Sequence, residues 1–199
     1  MNRITLAALG LYLSLTLCSI RPVISQDAVR GSIIEDRAAR KLLEAGDARL
    51  EADEASKAVE IWQSVLERYP TSRVRFEAHI RLGNHFLERE RAYDKARVQF
   101  EEVASEENRD QDQRAEATLR MGVCFYEARN FGKCFSVMRD VIEHFPVSRQ
   151  VNQAYYYIGL GHFQLGHYSR AIDALEKVGT SMGENDSQLE KVEAGKRLF

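Results

Sequence analysis

The sequence is poor in the residues that interrupt helices and staple small folds. Only 3 of its 199 residues are proline, so few positions force a break in a helical hydrogen-bond ladder. Cysteine is as rare, and beyond the first 25 residues only Cys124 and Cys134 remain. Two cysteines do not make a disulfide framework, and no pair has the spacing of a metal site. No charge excess stands out either. Lys+Arg 28 against Asp+Glu 30 gives no basic field for nucleic acid and no cationic block for an anionic membrane. Catalytic signatures are missing too: there is no GxSxG, phosphate loop or dinucleotide fingerprint. Gly159-Leu160-Gly161 with Gly166 falls within a helical stretch, without the strand–turn–helix setting a phosphate loop needs. His79, His85, His144, His162 and His167 form no HExxH, and no pair four apart joins a carboxylate. They read as packing residues. No metal, cofactor or catalytic residue is expected, and the chain is expected not to be an enzyme.

What is there divides into two parts. Arg3 precedes an apolar run without charge from Ile4 to Leu17, and Arg21-Pro22 closes it. Val23-Ile24-Ser25 offers a small-residue cleavage site before Gln26. Residues 1–25 therefore have the three-part pattern of a secretory signal peptide, since the run is short for a bilayer span. An uncleaved N-terminal anchor is the alternative. A further one is lipidation at Cys18, although Leu17 stands where a lipoprotein box has a small residue. Membrane contact is expected only through these two routes. The expected location is exported, periplasmic or cell envelope.

The remainder repeats itself. Ala45-Gly46, Leu82-Gly83, Met121-Gly122 and Ile158-Gly159 recur at spacings of 37, 39 and 37, and Ala194-Gly195 continues the series at 36. A small residue follows each of the first four glycines by 12 or 13 positions: Ala58, Ala96, Cys134 and Ala171. Four residues on comes a large apolar one, Trp62, Phe100, Met138 or Leu175, and three further a valine, Val65, Val103, Val141 or Val178. Tyr69-Pro70 and Phe145-Pro146 close two of the units. Glycine facing a small residue lets two antiparallel helices approach, and the large residue and valine fill the seam at helical spacing. A period in the high thirties is that of a stacked helical-hairpin solenoid.

These residues resemble the tetratricopeptide repeat (TPR) family, whose pattern is apolar-Gly, small, large aromatic and Pro. Asn108 and Gly183 replace the closing proline in the second and fourth units. The stretch LERYPTSRVRFEAHIRLGNHFLERERAYDKARVQFEEV is similar to the extended repeats of exported bacterial envelope proteins of the Tol-Pal coordinator and outer-membrane assembly lipoprotein type. The resemblance implies an all-α, right-handed superhelix. Four repeats are expected over about 37–70, 73–108, 112–146 and 148–183, within 37–183. Residues 26–36 are expected as a loose lead-in, and 187–199 as a truncated or capping helix of a fifth repeat, with the natural chain continuing past Phe199. Helix pairs are expected at 37–51 with 55–69, 73–90 with 93–107, 112–128 with 131–144, and 148–165 with 168–178.

The first helices of such repeats line a concave face. There the expected groove consists of Ile80, Asn84 and Leu87, then Leu119, Val123 and Tyr126, then Tyr156, Leu160 and Phe163. An apolar stripe at this spacing is either buried between repeats or open to an extended or helical peptide. The set by which related repeats hold a terminal carboxylate is incomplete, because Ile80 stands one turn before Asn84. Three functions remain open. One is a protein-binding scaffold of the cell envelope. The second is the N-terminal adaptor of a larger protein, and the third a subunit of an outer-membrane assembly or secretion complex. Cys124 and Cys134 sit at small-residue packing sites and are expected as free thiols.

Overall fold

The computed structural model describes residues 26–179; the expected signal peptide, Cys18 and the fifth-repeat helix lie outside them. Eight helices follow in order: α1 (Gln26–Glu51), α2 (Ala55–Arg68), α3 (Val74–Glu88), α4 (Tyr93–Ala104), α5 (Gln111–Glu127), α6 (Phe131–His144), α7 (Gln150–Gln164) and α8 (Tyr168–Leu175). No strand occurs among the described residues. The largest departure from the expected boundaries is at the start, and α4 and α8 also end three residues early, at Ala104 and Leu175. Residues 26–36 are not a loose lead-in but the opening turns of α1, which runs 26 residues. No proline interrupts that stretch, and a single glycine, Gly31, costs a helix only about 1 kcal/mol.

Each odd helix packs against the even helix after it, and each hairpin against the next. The seam is built as the repeat predicts. A Cβ placed on Gly46, Gly83, Gly122 or Gly159 would lie 2.5–2.6 Å from Trp62, Phe100, Met138 or Leu175 respectively. Ala58, Ala96, Cys134 and Ala171 are fully buried beside them. Below lie Val65, Val103, Val141 and Val178, also buried. The large residue therefore occupies the hole that the absent side chain leaves, which locks the register of the two helices. Trp62 adds a polar tie, its Nε1 donating to Asp47 Oδ1 at 3.1 Å, while Arg81 of the next hairpin donates to the same carboxylate at 3.1 Å.

The turns inside the hairpins are equally periodic. Asp53, Arg91, Arg129 and Gly166 all hold positive φ, at 59°, 53°, 57° and 72°. In three of these turns the next amide donates back to a carbonyl five residues earlier: Glu54 to Arg49, Asn130 to Phe125 and His167 to His162. That bond, with a left-handed residue before it, is the usual way to satisfy the orphan carbonyls at a helix end.

Joints between hairpins use buried polar side chains. Ser72 donates to Asp36 of α1 and accepts from the Val74 amide. Ser148 donates to Gln150 and accepts from its amide. In the second joint Asn108 replaces proline and donates to the Val103 carbonyl at 3.1 Å and to Gln113 at 3.2 Å. Two residues later Asp110 caps α5, accepting from the amides of Asp112 and Gln113. Proline ends a helix by withholding a donor; asparagine ends this one by bonding the Val103 carbonyl in its last turn.

Candidate interaction face

Among the first helices, α1 touches α3 and α5 touches α7, whereas the second helices meet no such neighbour to the same extent. In a curved stack the more closely spaced layer is the inner one, so α1, α3, α5 and α7 line the concave side. The nine expected groove residues divide there into two sets. Leu87, Leu119 and Val123 are buried, with 6%, 3% and 8% exposure, and belong to the core cluster. They are corrected from groove to core: packing into the shared core cluster consumes them before a partner can reach them. Ile80, Asn84, Tyr126, Tyr156, Leu160 and Phe163 are half-buried and keep an open edge.

An aromatic cluster forms where α5, α6 and α7 converge. Tyr126 meets Tyr157 edge-on at 5.3 Å and Phe131 at 5.8 Å. Tyr156 meets Tyr157 at 5.8 Å. Phe163 meets Tyr168 of α8 at 5.7 Å. Edge-to-face rings at these separations hold one another in place at little entropic cost on binding. Burial, then the nearby Glu127 carboxylate, raises the Tyr126 phenol above its ordinary value, opposed by a hydrogen bond with Gln164. Tyr157 is raised by burial and by Glu127. Both stay neutral donors at any physiological pH. Tyr157 was missed from sequence; it lies in the run Tyr155-Tyr156-Tyr157, where all three are aromatic and only the curvature of the stack selects the ring that anchors the cluster. Further along the face, Asn84 Oδ1 is buried without a hydrogen-bond partner.

His79, His85 and His162 are half-buried, whereas His144 and His167 are exposed rather than packed. His79 Nδ1 lies 2.9 Å from Gln99 Oε1, and burial holds its pKa below the usual range. His144 Nδ1 meets the Asp140 carbonyl at 3.0 Å, and His85 lies 3.2 Å from Glu90. Among the described residues no three His, Cys, Asp or Glu side chains converge on a metal position. No helix described is long and apolar enough to cross a membrane.

The tetratricopeptide repeat family model matches residues 42–72 and 153–181, the first and fourth hairpins. The architecture is a TPR-like superhelix of stacked helical hairpins. Two solved structures share it. MamA (41-end) from Desulfovibrio magneticus RS-1 is 18% identical with a TM-score of 0.55, the match covering 80% of this chain and 76% of that one. A MamA RS-1 ArsTM double mutant is 17% identical with a TM-score of 0.56, over 87% and 88%. At this identity the likeness concerns the fold. No curated protein matches the sequence.

Proposed function

We propose that the protein is a non-enzymatic, exported scaffold of the cell envelope that holds an extended or helical segment of a partner protein on its concave face. The observation that carries this is the half-open aromatic row Tyr126, Tyr156 and Phe163 with Leu160 beside it, on the inner helices of a solenoid. Rigid, partly exposed aromatics on a concave surface supply contact area without much ordering cost. Matches to tetratricopeptide repeats support a binding role. Export rests on residues 1–25 alone. The test is a pull-down from envelope extracts with the wild-type protein and with Tyr156→Ala/Phe163→Ala. A partner kept by the first and lost by the second, at unchanged melting temperature, supports the reading; equal capture by both sinks it. N-terminal sequencing of protein from the source cell checks export, with Gln26 expected first.

A second reading, the N-terminal adaptor region of a larger protein, is favoured by one observation. Tyr168 and Ile172 of α8 are 60% and 42% exposed. Their counterparts one repeat earlier, Phe131 and Phe135, face Gly161 of α7, where an added Cβ would lie 3.5 and 2.5 Å away. The outer side of α8 is thus shaped like a surface that receives another first helix. The reading frame downstream of the Phe199 codon tests it: further helical-hairpin repeats there favour the adaptor, and a stop codon sets it aside.

A further inference from the structure

On the side of the second helices, α6 and α8 bound a cleft floored by α7 that encloses about 390 Å³. That lies within the range of small-ligand sites. Its lining departs from the repeat in charge. In register with the seam glycines and valines, the two earlier inter-repeat positions carry Lys95 against Glu67 and Glu102, then Lys133 against Glu101 and Asp140. The third carries Arg139, Arg170 and Lys177 against Glu143 and Asp173. Acidic residues outnumber basic ones in the first two, and the order reverses in the third.

The floor changes with the walls. Phe86 lies 5.5 Å from the Lys95 ammonium, and Phe125 lies 5.5 Å from that of Lys133. Each aromatic is thereby covered by a cation. At the same position α7 has His162, with Arg170 in place of lysine. The imidazole is stacked on Phe135, centroids 4.3 Å apart and planes at 25°, and its Nδ1 is buried with no hydrogen-bond partner. Arg139 and Arg170 make no ion pair among the described residues. Burial, then Arg170, His167 and Arg139, holds His162 below the usual histidine range. One anion between the arginines would pair both guanidinium groups.

We propose that this cleft binds a short acidic segment of a partner protein. One carboxylate sits between Arg139 and Arg170 over His162, and an adjoining apolar side chain rests on Ile142 and Ile158. Guanidinium groups hold carboxylates by charge-assisted, often paired hydrogen bonds. The apolar wall of Ile142, Ile158 and Ala174 is wasted on a bare inorganic anion and suits a peptide. Glu143 and Asp173 in the same lining repel a polyacidic run, so a segment with one or two carboxylates is selected. The site lies on the opposite layer from the concave aromatics and does not depend on them.

The experiment is an NMR titration of the isotopically labelled protein with a capped Ala-Leu-Glu-Leu-Ala peptide, its Gln counterpart and inorganic phosphate. Amides of α6 and α8 and the His162 ring are expected to move with the Glu peptide. Affinity is expected to fall at least about tenfold in Arg139→Gln/Arg170→Gln, as loss of charge-assisted bonds does. It is expected to remain unchanged in Tyr156→Ala. The proposal is overturned by no shift in the cleft, by equal binding of the Gln peptide, or by phosphate binding where the Glu peptide does not. Both arginines are exposed, so the double variant folds, and melting temperature verifies this. Loss of binding in Tyr156→Ala with the arginine variant unaffected overturns it too, while strengthening the concave-face reading.

Discussion

Gly83 and Phe100 meet across the second hairpin so closely that a methyl on the glycine would lie 2.6 Å from ring atom Cε1. Phe100 has no exposed surface, so the ring has nowhere to move. Gly83→Ala is therefore expected to destabilise by about 1–3 kcal/mol through overpacking, despite alanine's better helix propensity. Gly132 in α6 has nothing within 4 Å of its would-be Cβ, and Gly132→Ala is expected to stabilise by about 0.5–1 kcal/mol. Urea unfolding of the two variants checks the opposite signs. An increase in stability for Gly83→Ala would show that the seam is not close-packed.

Trp62 fills the first hairpin's hole and ties it to the second through Asp47, which Arg81 also holds. Trp62→Ala is expected to cost about 3–5 kcal/mol, as large-to-small core changes do. Trp62→Phe keeps much of the volume but leaves Asp47 with Arg81 alone, and is expected to cost less. Thermal unfolding ranks the two variants. Equal melting temperatures for Trp62→Ala and wild type would move the indole from core to ligand contact.

Legibility followed the physics of each feature. The seam was readable because one steric condition, a hole opposite a large side chain, must be met in every hairpin, which prints a period on the chain. The groove was only half readable. Leu87 and Tyr126 share the helical spacing of an apolar stripe, yet neighbour packing buries the first and leaves the second half open. That choice depends on the curvature of the stack, which no local pattern records. The α6–α7–α8 cleft was hidden for a related reason: Arg139, His162 and Arg170 come from three helices. Each alone looks like an ordinary surface or packing residue. The extra turns of α1 were missed because the repeat pattern starts only near residue 37, while nothing in residues 26–36 stops the helix from extending upstream of it.

Cys124 and Cys134 are free and buried, and burial pushes both thiols up to about 12. Raised pKa values favour the neutral form in the folded state. The stability they contribute is fully present below the ordinary thiol pKa of about 8.5 and is lost as pH rises toward 12. Unfolding free energy is expected to decline across that window, and Cys124→Ala/Cys134→Ala to flatten the decline. In the native protein, thiol reagent at pH 8 is expected to react only as fast as the hairpin opens, since the thiolate is the reactive form. Immediate reaction of either thiol would contradict the burial.

The hairpin turns make the sharpest conformational test. Arg129 and Gly166 occupy the same left-handed position one repeat apart, at φ 57° and 72°. For a side-chain-bearing residue that conformation costs roughly 1–2 kcal/mol, and for glycine almost nothing. No atom lies within 4 Å of a Cβ on Gly166, so Gly166→Ala isolates the backbone term and is expected to lose about 1 kcal/mol. Arg129→Gly is expected to gain up to about 1 kcal/mol, reduced by the greater freedom of glycine in the unfolded chain. Asp53→Gly and Arg91→Gly, in the turns inside the first and second hairpins, share the geometry and the expected sign. Denaturant midpoints of the four variants decide the matter. A loss in all three glycine substitutions would mean that the turns are held by their side chains rather than strained by them.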